Sequence, residues 1–232
     1  MKRAGLFFCA LLTAGAASAQ SFTLGGRYSN YSTEVGVAGI DFESGRQSSF
    51  GLLGSYRNGP LGLNFQLDHD IENGIGLVDL LPFDFAEYSR DRAEAALSYT
   101  LIPNLDIEGG VRAEQVTVGG SSIFGEQIFS DLDLTHQALF AGVNFHSRTI
   151  RPVGWYASAR AYIGTAQFDS FGVSVDDDTT GMKFEAGLPI PIGLSGWEIA
   201  PGFEYERIES DQFDLKLETN RFFVNVAYTF GR

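Results

Sequence analysis

Asp68-His69-Asp70 sets an imidazole between two carboxylates, and His136 and His146 are the remaining histidines. Carboxylate and imidazole together can activate water. In an extended chain, however, neighbouring side chains point to opposite faces, so Asp68 and Asp70 share a face that His69 does not. His136 falls on the same face as that acid pair, but Leu134 stands two residues before it, where a second acid would be needed. Neither His136 nor His146 has a serine in strand spacing, and three scattered histidines make no metal site. The acid runs Asp176-Asp177-Asp178, Asp131 with Asp133, and Glu209 with Asp211 and Asp214 lack the Ca²⁺-loop pattern, so they read as solvated, mutually repelling surface. The expectation is a protein that is no enzyme and needs neither metal nor cofactor.

The larger chemical signal is a long series of charges at even spacing. Phe222, Val224, Val226, Tyr228 and Phe230 share one face, while Arg221, Phe223, Asn225, Ala227 and Thr229 share the other. This period of two marks a strand of about ten residues with one apolar face. Ten such segments are predicted, near 22–32, 48–58, 61–71, 90–101, 105–117, 135–147, 153–166, 180–189, 196–208 and 218–230. Parity puts Arg27, Arg57, Arg92, Arg112, Arg160, Lys183 and Arg221 on the polar face. It puts Asp68, Asp70, Glu94, Asp106, Glu108, Glu114, Glu185, Glu198, Glu204 and Glu206 there too. Charges so placed cannot stay unpaired in a narrow interior, and cross-strand ion pairs are expected. They would act as an ionic plug or, through their acid surplus, line a narrow cation-preferring path.

The connections alternate in length. Residues 33–47, 72–89, 118–134, 167–179 and 209–217 form long ones, and the turns between them are short. Segments 72–89 and 118–134 are unusually apolar and are candidates for folding over a mouth or binding an apolar partner. Short turns at one end, long loops at the other and an even strand number predict an all-β fold. It is a closed antiparallel transmembrane β-barrel of ten strands, with eight or twelve as neighbouring possibilities. Tyr28, Tyr31, Tyr56, Tyr88, Tyr99, Trp155, Trp197, Tyr205 and Tyr228 are expected at the membrane interfaces.

Composition agrees. The 232 residues carry a formal charge of −13, which repels phosphate and excludes nucleic acid as a partner. A single cysteine excludes zinc-finger, iron–sulfur and disulfide scaffolds. Lys2 and Arg3, an apolar run from Ala4 to Ala17 and the small residues of Ala17-Ser18-Ala19 read as a secretory signal peptide over 1–19, cleaved after Ala19. Residues 20–232 are then the barrel domain, exported to the outer membrane of a Gram-negative cell.

The mature chain thus resembles the bacterial outer-membrane β-barrel superfamily along its whole length. The terminal strand Val226-Ala227-Tyr228-Thr229-Phe230 strengthens the likeness, although Gly231 and Arg232 follow the aromatic end. The resemblance implies assembly by the barrel-assembly machinery through that strand, with outer-membrane lipid and lipopolysaccharide as surroundings. It implies a small porin-like or structural barrel that passes, at most, a small cation or solute. The alternatives are a barrel whose loops bind or adhere and, third, a hydrolase. Omptin proteases in this superfamily face an Asp pair with an Asp–His pair. Asp68 and Asp70 are similar to the first, but His69 and Leu134 break the second.

Overall fold

The computed structural model describes residues 20–37, 40–43, 46–71, 88–118, 122–123, 126–127, 132–147, 153–170, 173–193, 196–210 and 216–231. The expected signal segment, and most of the apolar stretches 72–89 and 118–134, lie outside these residues.

Ten long strands form one ring. They are β1 (Gln20–Val37), β2 (Gln47–Asn58), β3 (Leu61–Ile71), β4 (Tyr88–Ile102), β5 (Leu105–Val118), β6 (Leu132–Ser147), β7 (Trp155–Ser170), β8 (Val173–Gly187), β9 (Trp197–Ser210) and β10 (Lys216–Phe230). Each pairs antiparallel with its sequence neighbours, and β1 pairs with β10 from Phe22↔Phe230 to Gly36↔Lys216, which closes the barrel. Short strands decorate it at Ile40–Glu43, Ile190–Ile192 and the small hairpin Ser122–Ile123 with Glu126–Gln127. Ten strands spaced about 4.8 Å and tilted about 40° give a backbone diameter of roughly 20 Å. Side chains from opposite walls therefore meet.

Polarity is inverted relative to a soluble barrel. Leu97, Phe222, Ile163, Leu139, Phe50 and Leu61 stand on the outer wall at 59–68% exposure. Arg27, Arg90, Arg92, Arg112, Arg221, Lys183, Glu204 and Glu206 are buried inside. Water would penalise such an outer wall, whereas a bilayer core solvates it. At the end bearing the short turns, Trp197 meets Tyr228 edge-on at 5.2 Å, and Tyr228 meets Phe230 at 4.6 Å. Amphipathic rings of this kind suit a membrane interface.

Three sequence expectations are corrected. The stretch 33–47 is no single long loop, because β1 continues to Val37, Ile40–Glu43 pairs back on it and β2 starts at Gln47. The stretch 167–179 is no long loop, because β7 and β8 run as a hairpin to the pair Ser170↔Val173. Its polar residues hide the period of two, but the backbone ladder continues through them. Asp177 consequently turns inward and is buried, while Asp176 and Asp178 stay exposed. Tyr31 is likewise no interface residue: it is 3% exposed inside the barrel, and its hydroxyl donates to Asp70.

Close strand packing depends on small residues. A Cβ on Gly110 would lie 2.1 Å from the Ala95 carbonyl oxygen and 2.6 Å from the Phe140 ring. Because the first clash is with backbone, Gly110→Val is expected to destabilise the barrel by about 1–3 kcal/mol. Urea titration of the refolded protein, followed by the heat-dependent gel mobility of folded barrels, checks this.

Candidate functional site

The inner wall is layered along the barrel axis, and the layers follow from strand parity. One layer is ionic. Asp68 and Arg92 face each other in the β3–β4 register, Arg92 and Glu114 in β4–β5, Glu94 and Arg112 in β4–β5, Lys183 and Glu206 in β8–β9, and Glu204 and Arg221 in β9–β10. Neighbouring strands thus bring opposite charges together. Asp68 takes both Arg92 at 2.5 Å and Arg221 at 3.1 Å.

Many of the pairings nonetheless run across the lumen. On a ten-strand ring β4 and β9 lie diametrically opposite. Arg90 of β4 reaches Glu206 of β9 at 2.9 Å, and Arg92 reaches Glu204 at 2.8 Å and Glu206 at 3.2 Å. Arg112 of β5 reaches Glu206 at 2.6 Å and also bonds Glu114, which Arg90 holds from its other side. Lys183 of β8 does not bond its register partner Glu206. It crosses to Glu94 of β4 at 3.1 Å and lies 3.6 Å from Glu204. Arg160 of β7 spans to Glu94 and Glu108, both at 2.6 Å. Arg27 of β1 bonds Glu185 at 2.9 Å and Glu204 at 3.2 Å.

These pairs connect into one cluster of seven cations and seven carboxylates. The expected acid surplus is absent from it. Charges taken out of water are tolerable only when so paired and hydrogen-bonded. Aromatic faces complete the shell, with Arg27 stacked 4.0 Å over Phe223, Arg221 over Tyr31 and Arg112 over Tyr162. Such contacts strengthen when water is excluded.

The remaining sequence candidates fall outside the cluster. Asp70 engages Tyr31, not a cross-strand cation, and Arg57 pairs with Asp106 at 2.6 Å near the short-turn end. His69 points outward to Asp91 at 2.5 Å. His136 does point inward, its Nε2 lying 3.0 Å from Thr179 Oγ1 and its Nδ1 3.8 Å from Glu114. Asp68, Asp70 and the histidines therefore converge on no common point. Arg90 is the member that the sequence reading omitted. It lies two residues before Arg92, at the edge of the predicted strand, and the same parity would have found it.

A second layer sits on the loop side of the charges. Val116, Leu134, Ala166, Ile208 and Leu217 point inward one step beyond Glu114, His136, Glu206 and Thr219, with Tyr31 packed against Val116. The void among them is about 10 Å³, scarcely room for one water. On the other side of the ionic layer the lumen widens into a cavity of about 460 Å³ that opens among the chain termini and short turns. Along the described lumen a vestibule is thus followed by the ionic layer and then by an apolar patch on part of the wall.

No family model matches the chain, and no curated protein matches it in sequence. Similarity appears among solved structures. The outer membrane protease OmpT from Escherichia coli superposes with a TM-score of 0.56 at 8% identity, over 91% of this chain and 96% of that one. The translocator domain of the autotransporter NalP from Neisseria meningitidis gives 0.52 at 10% identity, over 99% and 95%. Ail, the attachment invasion locus protein of Yersinia pestis, is 19% identical over 91% and 97%, with a TM-score of 0.41. Closed by antiparallel pairing, apolar outside and charged within, this chain has the fold of the bacterial outer-membrane β-barrels.

Proposed function

We propose that this chain is an integral outer-membrane barrel closed to ions and solutes, a structural anchor that holds its long connections at one membrane surface. The observation that carries this reading is the transverse ionic layer. Guanidiniums of β4 meet carboxylates of the opposite strand β9 within hydrogen-bond distance, and an apolar patch of Tyr31, Val116 and Leu134 adjoins them. A cation path needs a water-filled gap and uncompensated acid, and the neutral cluster offers neither. Both termini and the short turns then face the periplasm, with the loops outside. Outer-membrane lipid and lipopolysaccharide surround the wall, and the assembly machinery reads the strand that ends at Phe230. The reading is non-enzymatic: Asp68 is held by two arginines, Asp70 by Tyr31, and His136 lies beside the apolar patch.

Planar-bilayer recording on the refolded mature protein is the test. A folded barrel is expected to give no discrete current steps. Steps with a cation preference would instead establish the porin-like alternative.

A further inference from the structure

We propose that the vestibule on the termini side of the ionic layer is a binding site for a small zwitterion, of the size and charge of a free amino acid or dipeptide. The cavity of about 460 Å³ lies within the range of ligand pockets. The ionic layer forms its blind end, and it is there that two groups of opposite charge remain incompletely used. Arg160 spends Nε on Glu108 and Nη1 on Glu94, and its Nη2 makes no hydrogen bond to any described residue. Glu185 accepts from Arg27 and from the Tyr156 hydroxyl through the same oxygen, Oε1, leaving Oε2 without a hydrogen bond among the described residues. Both side chains line the cavity.

These groups stand on adjacent strands. Ser158, two residues before Arg160 and on the same face, is the register partner of Glu185. Arg160 and Glu185 therefore border one volume and make no hydrogen bond to each other. A ligand with a single charge would satisfy one and leave the other to water. A zwitterion offers a carboxylate to Arg160 and an ammonium to Glu185, so neither ligand charge is desolvated unpaired. Asn64, Asn144 and Asn225 on the surrounding wall supply amides for the neutral remainder of such a molecule. Phe140, over which Arg160 stacks at 4.9 Å, fixes the guanidinium plane.

The proposal rests on the sealed-barrel reading, because only a sealed barrel makes this cavity blind. Equilibrium dialysis of the refolded full barrel against radiolabelled glycylglycine tests it, with acetate, methylammonium and glycerol as comparison probes. Saturable retention of glycylglycine at least about tenfold tighter than any comparison probe is expected. Glu185→Gln and Arg160→Gln should each weaken it by about tenfold or more, the usual value of a charge-assisted hydrogen bond. Because both residues also belong to the ionic cluster, Ala227→Trp provides a variant outside it. Ala227 lines the cavity, and an indole there would take up a substantial part of the volume and weaken retention while the barrel still shows heat-dependent mobility. Equal retention of acetate or methylammonium, absence of saturable retention, or binding undisturbed by Ala227→Trp would each overturn the site. Failure of the sealed reading shows separately, as current through the wild-type barrel.

Discussion

Replacing Glu206 with alanine is expected to lower the stability of the folded barrel by about 3–5 kcal/mol, the cost typical of removing one partner from a buried ion pair. Glu206 receives Arg90 at 2.9 Å, Arg92 at 3.2 Å and Arg112 at 2.6 Å and is fully buried. Its loss leaves three guanidiniums around an empty position and an unbalanced positive charge. The measurement is the urea midpoint in detergent or lipid, read by gel mobility and by tryptophan emission. Glu206→Ala combined with Arg92→Ala should recover part of the loss, since the remaining six cations and six carboxylates balance again. Glu209→Ala is the reference. Its partner Arg207 is half-exposed on the outer face near the end of β9 away from the short turns, and exposed ion pairs contribute little. Equal effects of Glu206→Ala and Glu209→Ala would show that the cluster is hydrated and loose, and the plug would then have to be abandoned.

On the sealed-barrel reading, conductance is expected to appear only when both the ionic layer and the apolar patch are breached. Arg92→Ala with Glu204→Ala removes one neutral pair that spans the lumen at 2.8 Å. It thins the ionic layer, but the apolar patch beyond it still repels water. Leu134→Ala with Ile208→Ala thins the apolar patch alone and leaves the transverse ion pairs in place. Each double variant should be silent in a planar bilayer, and the quadruple variant should pass discrete steps. The reasoning is that an ion crosses a narrow lumen only along continuous water, and either an apolar patch or a closed ion-pair lattice interrupts it. Current through either double variant alone would show that its layer is the only seal. A folded quadruple variant without current would place the closure elsewhere in the barrel.

Much of this was legible before any tertiary contact was known. The alternation in Arg221 to Phe230 needed only the two-residue period of a strand. That period, with the rhythm of short and long connections, predicted ten strands and a closed barrel. It also told which way each charge points, because the pleat sends residues of equal parity to one face. Arg27, Arg92, Arg112, Lys183, Glu204, Glu206 and Arg221 all stand where parity put them. The same rule kept His69 away from Asp68 and Asp70.

Parity gives a direction but not a partner. The expectation of neighbour-to-neighbour pairing described Asp68 with Arg92 but not Lys183 with Glu94, because ring closure decides which strands confront each other across the axis. Strands distant in sequence, β4 and β9, became opposite walls only when β1 met β10. The apolar patch was hidden for a related reason. Leu134 and Leu217 adjoin polar, loop-like sequence, and apolar residues on the charged face break the alternation that identifies a strand. The hairpin at 167–179 was hidden by polarity on both of its faces, while its existence depends on backbone bonds to β7 that carry no side-chain signature. The sequence by itself therefore determined the barrel, its inverted polarity and the inward charges, since these need only local periodicity. The tertiary structure alone decided that seven of the cations meet seven carboxylates across the lumen and that an apolar patch adjoins them, since both depend on register and closure around the whole ring.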